Sequence, residues 1–168
     1  MVDKKEGIIM KYMKITPSDV LNGDGLRVVL WVAGCGHYCK GCHNPDSWNP
    51  NNGKDFTEKD KEYIFKLLED DFIKGITFSG GDPFYIDNRE GVKKLAKEIK
   101  EKFPNKDIWL WTGYTLSQIL KIDESLLENI DILVDGRYEC DLPHTKRYRG
   151  SDNQLRYKIN KGEYILLD

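Results

Sequence analysis

Three of the four cysteines in the chain, Cys35, Cys39 and Cys42, fall within one eight-residue stretch, spaced C-x3-C-x2-C. Crowding of this kind in a reducing compartment favours metal chemistry over a disulfide framework. Two centres compete. Iron–sulfur clusters are held by cysteine thiolates, usually four. Three thiolates could hold three irons of a 4Fe–4S cube and leave the fourth open to a small chelating molecule. Zinc instead wants four protein ligands, which His37, His43 or the distant Cys140 could complete. The spacing favours the cluster, because structural zinc sites typically use two separated C-x2–4-C or H-x3–5-H pairs. Cys140 by itself reads as an ordinary thiol near a strand end.

A second group lies at Ser79-Gly80-Gly81-Asp82-Pro83. Glycines permit close approach to a backbone. Carbonyls and a carboxylate are the acceptors that an ammonium needs. Alone, such a stretch is usually just a turn.

The elements that position these groups follow from pattern. Met10 to Ile15 suits an edge strand, and Asn22-Gly23-Asp24-Gly25 signals a turn. Leu26 to Ala33 is an apolar, β-branched run suited to a strand buried on both faces. Thr57 and Asp60 form a capping-box pattern. Tyr63, Ile64, Leu67, Leu68 and Phe72 then recur at helical spacing, and Gly75 is expected to stop that helix. Ile76–Phe78 reads as a strand. Val92, Leu95, Ala96, Ile99 and Phe103 mark a second helix closed by Pro104. Asp107–Trp111 is another strand, and Thr115 with Gln118 caps a short helix. Asp131–Val134 and Tyr164–Leu167 complete the strands. Alternation of this kind predicts a mainly parallel α/β sheet. The cysteine loop, Ser79–Pro83, Thr112–Tyr114 and Asp135–Arg137 each follow a strand, so they should share the carboxyl edge where ligands bind. Trp31, Trp109 and Trp111 read as core, with Trp111 at the edge of the mouth.

The 168 residues suit a single domain spanning 1–168, with residues 1–9 as a loose extension. A net charge of −2 gives no reason to expect nucleic acid or a membrane surface as partner. No apolar run is long enough to span a bilayer and no signal peptide is legible, so a cytoplasmic location is expected.

The C-x3-C-x2-C triplet after an early strand, together with Ser-Gly-Gly-Asp-Pro, resembles the radical S-adenosylmethionine (SAM) superfamily. Asn22-Gly23-Asp24-Gly25-Leu26-Arg27, Cys42-His43-Asn44-Pro45, Trp111-Thr112-Gly113-Tyr114, Val134-Asp135-Gly136-Arg137 and Arg149–Gln154 narrow the likeness. Together they resemble the activators of anaerobic ribonucleoside-triphosphate reductase, from about residue 12 onward. The resemblance implies a 4Fe–4S cluster on Cys35, Cys39 and Cys42. It implies SAM held by Ser79, Gly80, Gly81 and Asp82, with Gly41, His43 and Asn44 lining the same ligand.

The reaction implied is reductive cleavage of SAM. The resulting 5′-deoxyadenosyl radical then takes hydrogen from a glycine of the reductase, with no side chain acting as acid or base. The implied partners are that reductase and a low-potential electron donor such as flavodoxin or ferredoxin. Another small radical SAM enzyme and a non-catalytic zinc-binding interaction domain are the alternatives. The expected fold is an open, partial (β/α) barrel of about five to six mainly parallel strands, since a full barrel takes about 250 residues.

Overall fold

The computed structural model describes residues 9–167. The expectation of a loose start therefore lies outside the described residues, except at Ile9. Eight strands form one sheet: β1 (Lys11–Asp19), β2 (Leu26–Val32), β3 (Lys54–Asp55), β4 (Ile73–Gly80), β5 (Asp107–Trp111), β6 (Ile132–Asp135), β7 (Leu155–Asn160) and β8 (Glu163–Leu167). Their order is β3-β1-β2-β4-β5-β6-β7-β8. The three α-helices are α1 (Glu58–Leu68), α2 (Arg89–Lys102) and α3 (Leu116–Ile122).

This corrects the expected architecture. Neighbours β2–β4, β4–β5 and β5–β6 are parallel. The other four pairings, β1–β2, β1–β3, β6–β7 and β7–β8, are antiparallel. The sheet is mixed and open, not a partial barrel of five or six mainly parallel strands. The cause is in the connections. A parallel return needs a crossover of a dozen or more residues, usually helical. The link from β1 to β2 is a short turn. Residues 136–154 carry no helix, so β7 comes back antiparallel on β6. Lys161 and Gly162, at φ 47° and 80°, make the tight turn into β8.

Helices cover one face of the sheet. Val28, Leu30, Ile76, Phe78, Ile108, Leu110 and Leu133 point into that core against Ile64, Leu68, Val92, Leu95, Ile99 and Ile119. Each such aliphatic side chain contributes about 1.5–3 kcal/mol when fully buried. The opposite register of the same strands carries Arg27, Val29, Thr77 and Trp109, all buried, with loop residues Asp24, Asn22 and Tyr148 against Arg27, Thr77 and Trp109.

Local signals explain most boundaries. Both halves of the capping box form at Thr57/Asp60 and at Thr115/Gln118. α1 ends earlier than its apolar spacing suggests. The Asp70 carboxylate accepts from Phe72 N at 2.9 Å, turning the chain away and leaving Phe72 84% exposed. Gly75 is not a helix stop but lies inside β4. β1 is not at the edge, because β3 pairs outside it. No helix among the described residues is long and apolar enough to cross a membrane.

Candidate cluster and ligand site

The carboxyl ends of β2, β4, β5 and β6 meet at one cavity of about 280 Å³. Cys35, Cys39 and Cys42 line it from the loop after β2. Ser79, Gly80, Gly81 and Asp82 line it from the end of β4. His43 and Asn44 are also on its wall. Gly41 is not: it turns the loop at φ 71°, and a Cβ there would sit 3.2 Å from Cys140 Sγ. Cys140 is thus packed against the back of the cysteine loop.

Backbone hydrogen bonds hold that loop. Gly34 N donates to Ser47 O (2.6 Å), Cys35 N to Trp48 O (3.2 Å) and Asp82 N to Gly34 O (2.8 Å). Cys42 N closes a turn on Cys39 O at 3.1 Å, and Asn44 N donates to Cys42 Sγ at 3.3 Å. Cys35 is buried, and that burial pushes its thiol up to about 11. Cys39 and Cys42 are half-buried. Among the described residues no three His, Cys, Asp or Glu side chains gather around a single point as one metal ion requires. Three thiols lining one open cavity are the donor type that an iron–sulfur cluster takes, so the residues present fit one.

The glycines of the second loop serve packing as well as access. A Cβ on Gly80, at φ 107°, would lie 2.6 Å from both Val32 N and Val32 O. On Gly81 it would lie 2.5 Å from Gly34 O. Only glycine lets the end of β4 press this closely on the cysteine loop.

Asp82 is 1% exposed and fully engaged. Its Oδ1 accepts from Phe84 N (2.8 Å) and Thr112 Oγ1 (2.7 Å). Its Oδ2 accepts from Gly113 N (2.9 Å) and His37 Nε2 (2.9 Å). A carboxylate offers about four lone-pair positions, so four protein donors leave none for an ammonium.

Asp135 and Arg137 do not pair. Asp135 accepts from Leu116 N and Leu155 N, and burial raises its carboxyl above the usual range. Arg137 Nη2 donates to His37 O at 2.7 Å.

Several wall residues carry no local sequence signal. Trp31, expected in the core, faces the cavity, as do Trp48 and Tyr138. The ring of His43 lies 5.0 Å from that of Tyr138. Gln154 also lines the wall, where it is pinned by Gly150 N and Ser151 N and donates to Gly136 O. Its stretch, Arg149–Gln154, is one of those that carry the family resemblance.

Three thiols in a tight loop and a glycine-rich turn from the next parallel strand, sharing one cavity, define a cluster-binding domain. The family model described as a 4Fe–4S single cluster domain matches residues 21–156. Full-length relatives are more specific. An anaerobic ribonucleoside-triphosphate reductase-activating protein of Enterobacteria phage T4 is 46% identical over 91% of this chain and 97% of its own length. Proteins of the same name from Vibrio cholerae serotype O1 and Escherichia coli K12 are 41% and 40% identical, each over 89% of this chain and 99% of their own lengths. The chain belongs to the family of anaerobic ribonucleoside-triphosphate reductase-activating proteins.

Proposed function

We propose that the chain holds a 4Fe–4S cluster on Cys35, Cys39 and Cys42, binds SAM in the same cavity, and generates a glycyl radical on an anaerobic ribonucleoside-triphosphate reductase. The observation that carries this reading is the shared cavity: the cysteine triplet and Ser79–Gly81 face one space. Held on Cys35, Cys39 and Cys42, the cluster would supply the low-potential electron for reductive cleavage of SAM, the chemistry from which a glycyl radical on the reductase would be made.

The chain's own residues bind and orient. The three cysteines offer thiolates from one short loop, whose backbone is tied to residues 47, 48 and 82. Gly80 and Gly81 bring backbone acceptors to the cavity for the ammonium of SAM, with Ser79 beside them. His43 and Asn44 flank the same space. Asp82 serves the site by fixing the loops around it, since its lone pairs are taken. No group in the cavity is required to move a proton.

The test is anaerobic reconstitution followed by iron and sulfide analysis. We expect about four irons and four sulfides per chain for the cube, lost in Cys35→Ser, Cys39→Ser and Cys42→Ser but kept in Cys140→Ser. Mixing the reduced protein with SAM and an anaerobic reductase should then give a glycyl doublet by electron paramagnetic resonance. A colourless protein holding one zinc would overturn the cluster reading. A sound cluster without the doublet, given an active reductase, would overturn the substrate.

A further inference from the structure

The stretch between the first two cysteines, Gly36-His37-Tyr38, has one inward anchor. Gly36 is exposed, with nothing within 4 Å of where a Cβ would stand. Tyr38 is 63% exposed, at φ 50°. His37 is held by three other strand ends at once. Its Nε2 meets Asp82 Oδ2 at 2.9 Å, beyond β4. Its ring lies against Gly113, beyond β5, where a Cβ would sit 2.5 Å from the ring carbon Cδ2. The Tyr114 ring packs edge-on at 4.6 Å between centroids. Arg137, beyond β6, donates to its carbonyl at 2.7 Å.

We propose that His37 is a positioning residue: a clamp that locks the cysteine loop, through Asp82 and Gly113, to the segment that receives SAM. This rests on the cluster reading above. A carboxylate oxygen accepts, so Nε2 is the donor in this contact. Asp82 follows Gly80 and Gly81 directly in the chain, so the same carboxylate fixes both halves of the site. Gly113 is a glycine because the imidazole occupies the space its side chain would take.

The clamp can be removed without dismantling the fold. The ladder bonds of Gly34, Cys35 and Asp82 are independent of the His37 side chain. His37→Phe keeps a ring on Gly113 but loses the donor. His37→Gln restores an amide donor. Each variant is reconstituted anaerobically, its thermal unfolding is recorded, and the bleaching of its visible cluster band by an iron chelator is timed. A hydrogen bond to a charged group is worth enough that His37→Phe should bleach about tenfold faster than wild type. His37→Gln should recover most of that loss.

A second arm uses Gly113→Ala, which displaces the ring. It should speed bleaching in the wild-type background and add nothing in a His37→Ala background, because residues acting as one unit are not additive. This arm also serves if His37→Phe fails to fold. SAM affinity by equilibrium dialysis should fall along with cluster lifetime. Unchanged bleaching in His37→Phe, no rescue by Gln, or an equal effect of Gly113→Ala with and without the imidazole would each overturn the clamp. A wild-type chain that takes up no cluster would instead overturn the reading on which the clamp rests.

Discussion

Gly80 and Gly81 show how one residue type answers two demands. Read in sequence, they are places where a ligand can approach a backbone. In the folded chain they are first the places where one backbone approaches another, with Val32 and Gly34 where any Cβ would stand. Substitution should therefore damage the scaffold as well as the site. Gly80→Ala sets a side chain at φ 107° against the backbone of β2, and we expect a loss of about 3 kcal/mol. Urea denaturation of the metal-free chain would measure it; a midpoint unchanged from wild type would show that β2 and β4 can separate there. The cysteines were legible as candidate ligands from spacing alone, because three thiols within eight residues stay in one loop. His37 was legible only as one of several candidate zinc ligands. Its actual partners, Asp82, Gly113 and Arg137, lie 45, 76 and 100 positions further along the chain, and no local pattern joins them.

At the scale of elements, helix starts were easier to read than helix ends. A capping box is made of neighbours, so Thr57/Asp60 and Thr115/Gln118 carry their geometry in their spacing. The stop of α1 depends on one carboxylate turning back on Phe72 N, which apolar periodicity does not register. The same Asp60 also accepts from Tyr12 Oη at 2.8 Å, tying α1 to β1. Burial works to raise the Asp60 carboxyl, but hydrogen bonds from Thr57 and Tyr12 outweigh it and hold the group below its ordinary value. Burial and the same bond push Tyr12 up to about 12. A depressed acid stabilises the fold fully above its unfolded value, about 3.9, and loses that stabilisation as pH falls through its folded value. Asp60→Asn should cost about 1 kcal/mol at neutral pH. Thermal melts of the metal-free protein should show that gap closing in acid; a gap of constant size would exclude the charged bond as its source.

At the scale of the molecule, the two faces of the sheet do different work. Helices seal one, and the other is closed by loops around buried polar groups. Arg27 is its anchor, 0% exposed, with Nε on Thr77 Oγ1 (2.9 Å), Nη1 on Asp24 O (2.9 Å) and Nη2 on Ile76 O (2.9 Å). It pairs with Asp107 at 2.6 Å and lies 5.3 Å from the Trp109 ring. Burial lowers its guanidinium below the ordinary value, and Asp107 acts against that. The guanidinium therefore binds the turn at residues 22–25 to β2, β4 and β5, and Asn22 of that turn reaches the cavity. Arg27→Met keeps much of the volume and removes every donor. We expect a loss of about 3 kcal/mol in chemical denaturation. A stability matching wild type would mean that the carbonyls it serves find other donors. The sequence places Arg27 in a strand next to a turn; that it is buried follows only from which strands become neighbours.

What the sequence determined by itself is chemistry carried by short spacings: three thiols in one loop, a glycine-rich turn, two capping boxes, and the alternation that builds the parallel centre from β2 to β6. These depend on residues within a few positions of one another, so order along the chain is enough to define them. The tertiary structure decided the rest. It set the antiparallel flanks, because β1 turns directly into β2, the link into β3 carries no α-helix, and β7 and β8 return through helix-free links. It turned Asp82 inward to four protein donors, gave His37 its three anchors, and placed Cys140 behind Gly41 rather than in the cavity. Each of these is a contact between segments far apart in the chain, and the packing of strand ends side by side is what brings them within reach.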